Sequence, residues 1–179
     1  MEFSQINQRV RIAIQMLRVN DKHLLEHDVN ERSITHKLAV YLDPMFGEEY
    51  HVDCEYNRDK DDPKKIKACM SKLKRTNNCK RIDEFDDKSV YPDIIVHKRG
   101  TNKYNLLAIE VKKVSKDSVT KEHDLTKLKC YTDQKCNLKY QYGAFIELYT
   151  KEKVDMEPEI VFYENGKPKI ETLAQEELS

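Results

Sequence analysis

The spacing of apolar residues near the N-terminus predicts two amphipathic helices. Over residues 4–27 the apolar positions follow the period of a single helix face. Residues 30–43 repeat this pattern, with Asp28 as the expected N-cap and Pro44 just past the expected end. Both apolar stripes are expected to pack onto the core, and they consist of Ile6, Val10, Ala13, Ile14 and Leu17 in the first helix and Ile34, Leu38 and Leu42 in the second.

The remaining chain carries β-rich segments separated by polar ones. Strands are predicted over residues 49–57, 92–98, 105–112, 140–149 and 159–164, and a further helix over residues 120–136 with Leu125, Leu128 and Tyr131 at helical spacing. The resulting order, α-α-β-β-β-α-β-β, predicts an α/β (α+β) fold with a central mixed sheet flanked by helices. We expect a single domain over residues 1–179 with a Lys-rich excursion at about 58–89.

Charge is unevenly distributed although the 32 Lys/Arg and 32 Asp/Glu residues cancel formally. Residues 58–81 hold ten Lys/Arg against three Asp, and residues 112–139 hold eight Lys against four acids. Residues 147–179 reverse the sign, with nine acids against four Lys. A basic middle suits a polyanionic partner such as nucleic acid, because phosphate contacts supply much of the affinity for such partners. An ordinary solvated surface is the alternative, and charge alone does not decide between them.

The cysteines and the hydropathy pattern favour a cytoplasmic protein. The five Cys residues form no CxxC pair and are odd in number, which predicts reduced thiols rather than a disulfide framework. The N-terminal residues lack the pattern of a secretory signal, and no apolar run reaches the length that a bilayer span needs.

The candidate chemistry lies on the two strands at 92–98 and 105–112. In an antiparallel pair the numbers of facing residues have a constant sum, and a turn centred between Thr101 and Asn102 makes that sum 203. Asp93 then faces Glu110, with β-carbons roughly 4.5–5.5 Å apart.

Lys112 is predicted to join these two carboxylates. Because side chains alternate along a strand, Lys112 projects from the same face as Glu110, about 7 Å away. Ile109 and Val111 point the other way, into apolar packing. Two nearby carboxylates resist joint ionisation, and a divalent cation removes that conflict. Mg²⁺ suits the site because it takes carboxylate oxygens while keeping waters and binding phosphate. The lysine would then position or deprotonate an attacking water, so the pattern favours metal-assisted phosphodiester hydrolysis.

Pro92-Asp93, a spacer of sixteen residues and then Glu110-Val111-Lys112 resemble the PD-(D/E)xK nucleases, the restriction-endonuclease-like superfamily. The resemblance covers roughly residues 28–150 by element order. It implies that Asp93, Glu110 and the Val111 carbonyl bind the metal, with Mg²⁺ as cofactor and Mn²⁺ as a substitute. It also implies that Lys112 orients the water. This chain has four [Asp/Glu]-x-Lys triplets, but only the one at Glu110 follows an apolar β-run.

The same resemblance implies an acid on the helix before the sheet, and Glu31 fits because it shares the stripe of Ile34 and Leu38. The alternative is a capping box over Asp28-Val29-Asn30-Glu31, in which Glu31 bonds back to the backbone. On the helix at 120–136, some branches of the family carry Gln-x-x-x-Tyr, where this chain has Lys127 and Tyr131.

Nucleic-acid contacts are expected from the basic stretches. The candidate residues are Lys127, Tyr131, Lys72, Lys74 and Arg75. The alternative for Lys127 is a surface charge, and the alternative for Tyr131 is a core aromatic. The resemblance implies DNA rather than RNA as the substrate, and a homodimer is expected if both strands are cut.

Two other functions compete with a Mg²⁺-dependent endonuclease. One is a non-catalytic nucleic-acid-binding or scaffold protein on the same fold. The other is a zinc peptidase, because His23-Leu24-Leu25-Glu26-His27 matches the His-x-x-Glu-His pattern of inverted zinc peptidases. No third ligand is apparent for the latter, and chance placement on an exposed turn is the favoured interpretation of that segment.

Overall fold

A computed structural model describes residues 1–56, 58–59, 62–63, 91–114 and 118–170. In this part of the chain a six-stranded mixed sheet lies between helices on both faces. The helices are α1 (Phe3–Asn20), α2 (Lys22–Glu26), α3 (Glu31–Phe46) and α4 (Ser118–Thr132). The strands are β1 (His51–Cys54), β2 (Arg58–Asp59), β3 (Asp62–Pro63), β4 (Ile94–His97), β5 (Leu107–Lys113), β6 (Tyr142–Leu148), β7 (Glu159–Glu164) and β8 (Lys167–Pro168).

The first predicted helix is two helices in the structure. α1 ends where the Asp21 N–H binds the Leu17 carbonyl, and the short helix α2 follows at once. The five apolar positions predicted for α1 are all buried: Ile6, Val10, Ala13, Ile14 and Leu17. The apolar pattern therefore predicted the buried face correctly but missed the break at Asp21.

The ends of α3 correct two predictions. Asn30 is the N-cap, because its side chain accepts a hydrogen bond from the Ser33 N–H at 2.8 Å. Asp28 does not cap the helix, since its carboxylate binds Lys113 and Lys151, each at 2.9 Å. Pro44 lies inside the last turn rather than beyond it, and α3 ends at a glycine with positive φ, Gly47 (φ 61°).

The main sheet has the order β1-β4-β5-β6-β7-β8. All neighbours are antiparallel except β5 and β6, which are parallel and are joined through α4. A parallel pair needs such a crossover, and a helix is its usual form. β2 and β3 form a separate two-stranded ladder. The predicted mixed α/β sheet is therefore confirmed, and the Asn165-Gly166 turn adds β8, which the sequence did not predict.

The predicted hairpin register is confirmed at every pair of β4 and β5. The pairs are Ile94 with Ile109, Ile95 with Ala108 and Val96 with Leu107, each with the sum 203. A shift by one residue would have moved every side chain to the other face of the sheet. The register therefore fixes which side chains of β5 can meet Asp93.

The two faces of the sheet belong to different cores. Ile109 and Val111 pack with α1 and α3, as predicted, whereas Ala108 packs with α4. At Gly143 a β-carbon would lie only 3.1 Å from side-chain atoms of Leu128 and Thr132. α4 consequently lies very close to β6, and this close packing places the polar face of α4 beside the end of β5.

The thiol prediction fails at one position. Cys54 and Cys130 carry thiols, whereas Cys136 is disulfide-bonded. Most of the excursion at 58–89, including Lys72, Lys74 and Arg75, lies outside the described residues. None of the described helices combines the length and the apolar character that crossing a bilayer requires.

Candidate functional site

The candidate site lies at the end of the β4–β5 hairpin that is remote from its turn. Pairing between these strands stops at Ile94 and Ile109, one residue short of Asp93. Beyond that point the Asp93 side chain continues the contact, because its Oδ2 accepts a hydrogen bond from the Val111 N–H at 2.8 Å. The Val111 side chain is fully buried on the opposite face, so only its backbone can contribute to the site.

Glu110 is the buried acid of the site. Its side chain is 1% exposed, and Oε2 accepts a hydrogen bond from Lys127 Nζ at 2.6 Å. The other oxygen, Oε1, is buried with no hydrogen-bond partner among the described residues. Burial raises the pKa of Glu110 well above its usual range, and the charge of Asp93 adds to this effect against the opposing charge of Lys127. A buried carboxylate with one unsatisfied oxygen suits a cation.

Asp93 is also destabilised as an anion. Burial raises its pKa, although the Val111 N–H and the charges of Lys127 and Lys112 act in the opposite direction. Asp93 and Glu110 thus share one polar, partly enclosed position, as the register predicted. Two such carboxylates with water-filled remaining positions are the ligand set that Mg²⁺ commonly uses.

Lys112 is held between two acids. Its Nζ lies 2.9 Å from Glu31 Oε1 and 3.3 Å from Asp124 Oδ2. Burial opposes its charged form, but Glu31 and Asp124 outweigh burial and raise the pKa of Lys112 above its usual value. These two ion pairs hold the ammonium in place, an arrangement that suits the predicted role of positioning a water and neutralising charge.

Glu31 does not form the capping box. The first residue of α3 reaches across to β5, where Oε1 binds Lys112 Nζ and Oε2 accepts the Lys113 N–H at 3.2 Å. Because Asn30 already caps the helix, the capping interpretation is wrong. Both oxygens of Glu31 are already bound to β5. Its predicted metal contact stays a prediction.

Asp124 is a member of the site that sequence reasoning missed. It is buried on α4 and lies 3.0 Å from Lys127 Nζ as well as 3.3 Å from Lys112 Nζ. Burial opposes its ionised form, yet a hydrogen bond from His123 and the charges of Lys127 and Lys112 lower the pKa of Asp124 to about 2. The available signal was its position three residues before Lys127, which places both side chains on one helix face.

Two of the residues predicted to contact nucleic acid lie on α4. Both of them, Lys127 and Tyr131, are buried. The Lys127 ammonium points to Glu110 and Asp124, so it is not the surface charge that was the alternative. Tyr131 packs against Tyr140 in the core beneath α4, which agrees with its alternative as a core aromatic. Burial of both polar groups argues against direct contact with nucleic acid in this conformation.

A cavity of about 440 Å³ opens beside the carboxylates, and it is lined by Glu31, Arg32, Thr35, Cys54, Glu55 and Asp93. Arg32 is 85% exposed at its rim and lies 2.9 Å from Glu55. This cavity leads from solvent to Asp93, and its exposed guanidinium is the kind of group that binds phosphate.

The histidine motif forms a separate group. His23, Glu26 and His27 offer ligand atoms within 4.8 Å of one another, and all three are exposed, the first two on α2 and His27 just after its end. In the described part of the chain, this is the only group of three or more His, Cys, Asp or Glu residues that meets this distance. Among the described residues, the carboxylates beside β5 therefore include no three whose ligand oxygens all lie within 4.8 Å of one another.

Comparison with protein-family models, with curated proteins and with solved structures finds no match for this chain.

Proposed function

We propose that this chain is a metal-dependent nuclease, an endonuclease that hydrolyses phosphodiester bonds with Mg²⁺ and accepts Mn²⁺ in its place. The observation that carries the proposal is that the charge of Asp93 acts on buried Glu110, and the charge of Lys112 acts on Asp93, at the end of the β4–β5 pairing. The buried, unpartnered Oε1 of Glu110 supports a cation at that place. A bound divalent ion would lower the pKa of a coordinated water and polarise the phosphate.

The protein groups divide the remaining work. Asp93 and Glu110 would hold the ion, together with the Val111 carbonyl if the resemblance applies. The Lys112 ammonium, fixed by Glu31 and Asp124, would orient the water and offset negative charge that builds on the phosphate in the transition state. Lys127 holds the Glu110 carboxylate in place by donating a hydrogen bond to Oε2.

Membership of the PD-(D/E)xK superfamily belongs to the same proposal. The run from α3 through β1, β4 and β5 to α4 and β6 follows the element order on which the resemblance rested. Lys127 in place of the family's Gln is a departure, and its ion pairs with Glu110 and Asp124 give the lysine a structural purpose. DNA is the proposed substrate, entering by the cavity beside Arg32, and a homodimer is proposed if both strands are cut.

One observation favours a second function, a non-catalytic nucleic-acid-binding or scaffold protein. Lys127 and Lys112 already pair with three of the carboxylates near β5. A site neutralised by its own lysines can persist without a metal. This protein would bind nucleic acid but would show no saturable heat on titration with Mn²⁺.

A nicking assay separates these two functions. Supercoiled plasmid and single-stranded DNA are incubated with the full chain in Mg²⁺, in Mn²⁺ and in EDTA. The nuclease proposal expects cleavage with either metal and none in EDTA. Cleavage that continues in EDTA, or DNA binding with no cleavage in any metal, contradicts it.

A further inference from the structure

We infer that His23, Glu26 and His27 form a second metal site, which binds one divalent transition ion such as Zn²⁺ through two imidazoles and one carboxylate. This site is separate from the centre proposed beside β5 and does not depend on the nuclease function. The inference rests on the spacing of the three ligands, on the helical turn that holds them and on the hydrogen bond that orients one of the rings.

The three side chains meet on one face of a single helical turn. Positions 23, 26 and 27 have the i, i+3 and i+4 spacing that makes side chains neighbours on a helix. Their ligand atoms all lie within 4.8 Å of one another, and the two imidazole rings have centroids 3.9 Å apart. Ligands that each lie about 2.0–2.2 Å from one Zn²⁺ ion can be up to about 4.4 Å apart. Small rotations of the exposed side chains therefore bring all three to one ion.

The turn that carries these ligands stays closed through His27. α2 itself ends at Glu26, but the His27 N–H still binds the His23 carbonyl at 3.1 Å. Leu25 is buried in the core, whereas the three ligands are exposed. The ligand group is consequently built on backbone that the core holds in place.

A hydrogen bond fixes which nitrogen of the His27 ring can bind a metal. Its Nδ1 lies 3.0 Å from the carbonyl oxygen of His23. Because a carbonyl oxygen can only accept, Nδ1 carries the hydrogen, and the lone pair of the neutral ring is on Nε2. Histidines that bind metal commonly donate their other ring nitrogen to a backbone carbonyl in this way.

The contact that competes for the Glu26 carboxylate is weak. Lys22 Nζ lies 3.5 Å from Glu26 Oε1 but only 2.8 Å from Asp155 Oδ1. An exposed ion pair contributes little to stability, so a metal ion can replace Lys22 at Glu26 at small cost. Lys22 then keeps Asp155 as its partner.

The donor set determines which ion the site prefers and what it does. Imidazole suits Zn²⁺, Ni²⁺ and Cu²⁺, whereas Mg²⁺ and Mn²⁺ prefer oxygen ligands. This site should therefore take a different ion from the one proposed beside β5. A zinc peptidase uses the glutamate of its histidine motif as a general base. Glu26 instead lies within ligand distance of both imidazoles, so the expected role is metal binding that cross-links the turn of α2.

The test is isothermal titration of the full chain with Zn²⁺, compared with the double variant His23→Ala/His27→Ala. The parent chain should bind one more ion than this variant. Glu26→Gln should lower the affinity for that ion at least about 10-fold, the smallest loss typical of an outer-shell partner. His36→Ala is the matched control, because His36 is an exposed histidine on α3 outside the ligand group. It should keep both the ion count and the affinity.

Nuclear magnetic resonance of the parent chain identifies the ligands without any substitution. Zn²⁺ should shift the ring nitrogen signals of His23 and His27 and leave those of His36 in place. Ring signals that do not move, or equal ion counts in the parent and in a folded double variant, overturn the inference. Unchanged affinity in Glu26→Gln removes the carboxylate and overturns the three-ligand site. Mg²⁺-dependent cleavage is measured separately, so failure of this site leaves the nuclease proposal standing.

Discussion

Replacing Asp93 by Asn is expected to reduce metal-dependent DNA cleavage by more than about 100-fold. Loss of an outer-shell partner of a metal typically costs about 10–100-fold, and a direct ligand should cost more. The amide can still accept the 2.8 Å hydrogen bond from the Val111 N–H, so the end of the hairpin should stay intact. Cleavage rates of the two proteins at saturating Mg²⁺ measure the effect, and thermal unfolding checks the fold.

Asp53→Asn is the matched control. Asp53 is a carboxylate on the neighbouring strand β1, bound to His97 at 2.9 Å and to Arg99 at 2.8 Å rather than to the site. Its variant should cleave within about threefold of the parent, because the partners of Asp53 in the described structure are His97 and Arg99 and not residues of the site. Equal activity of Asp93→Asn and the parent chain would remove Asp93 from the metal centre.

Lys112→Ala is expected to lower kcat by about 100–1,000-fold, the loss seen when a donor that stabilises developing charge is removed. Affinity for Mn²⁺ should change far less, because the ammonium binds Glu31 and Asp124 and not the proposed ligand oxygens. The two quantities are measured separately, by single-turnover cleavage and by titration with Mn²⁺. This split between rate and metal affinity distinguishes a positioning lysine from a lysine that only stabilises the fold.

Lys113→Ala provides the comparison for Lys112. Lys113 is the next residue of β5 and is similarly exposed, 25% against 27%. It points to Asp28 and to the carbonyls of Asp28 and Val29, away from the carboxylates of the site. Lys113→Ala should therefore keep the parent rate. If both lysine variants lose activity equally, loss of fold rather than loss of catalysis explains the effect.

The hairpin and its register could be predicted because they depend on short-range rules. Glycine and asparagine near position 101 favour a turn, and the alternation of side chains then fixes every pair of β4 and β5. Glu110 follows an apolar run of a predicted central strand, and it is buried, at 1% exposure, in the middle of β5. Local patterns thus predicted that Asp93, Glu110 and Lys112 lie near one another.

The contacts between α4 and β5 could not be predicted in the same way. They depend on how closely α4 lies on the sheet, which Gly143 permits but which no local pattern measures. Because α4 is polar along much of its length, Asp124 drew no prediction and Lys127 was assigned to nucleic acid. Only the packed structure shows that both are buried against Glu110 and Lys112.

The helix cap shows a further limit of local rules. Asp28 and Glu31 have the spacing of a capping box, and local preference alone cannot exclude it. In the folded chain both acids find lysines of β5 instead, and Asn30 caps α3. Long-range charge pairing overrode the local preference at these two positions.

Anomalous scattering from a crystal of the full chain grown with Mn²⁺ tests the metal centre most directly. The account predicts one strong peak within about 2.0–2.3 Å of an Asp93 oxygen and of Glu110 Oε1. A crystal that shows manganese only at His23 and His27, or shows none near β5, contradicts the account.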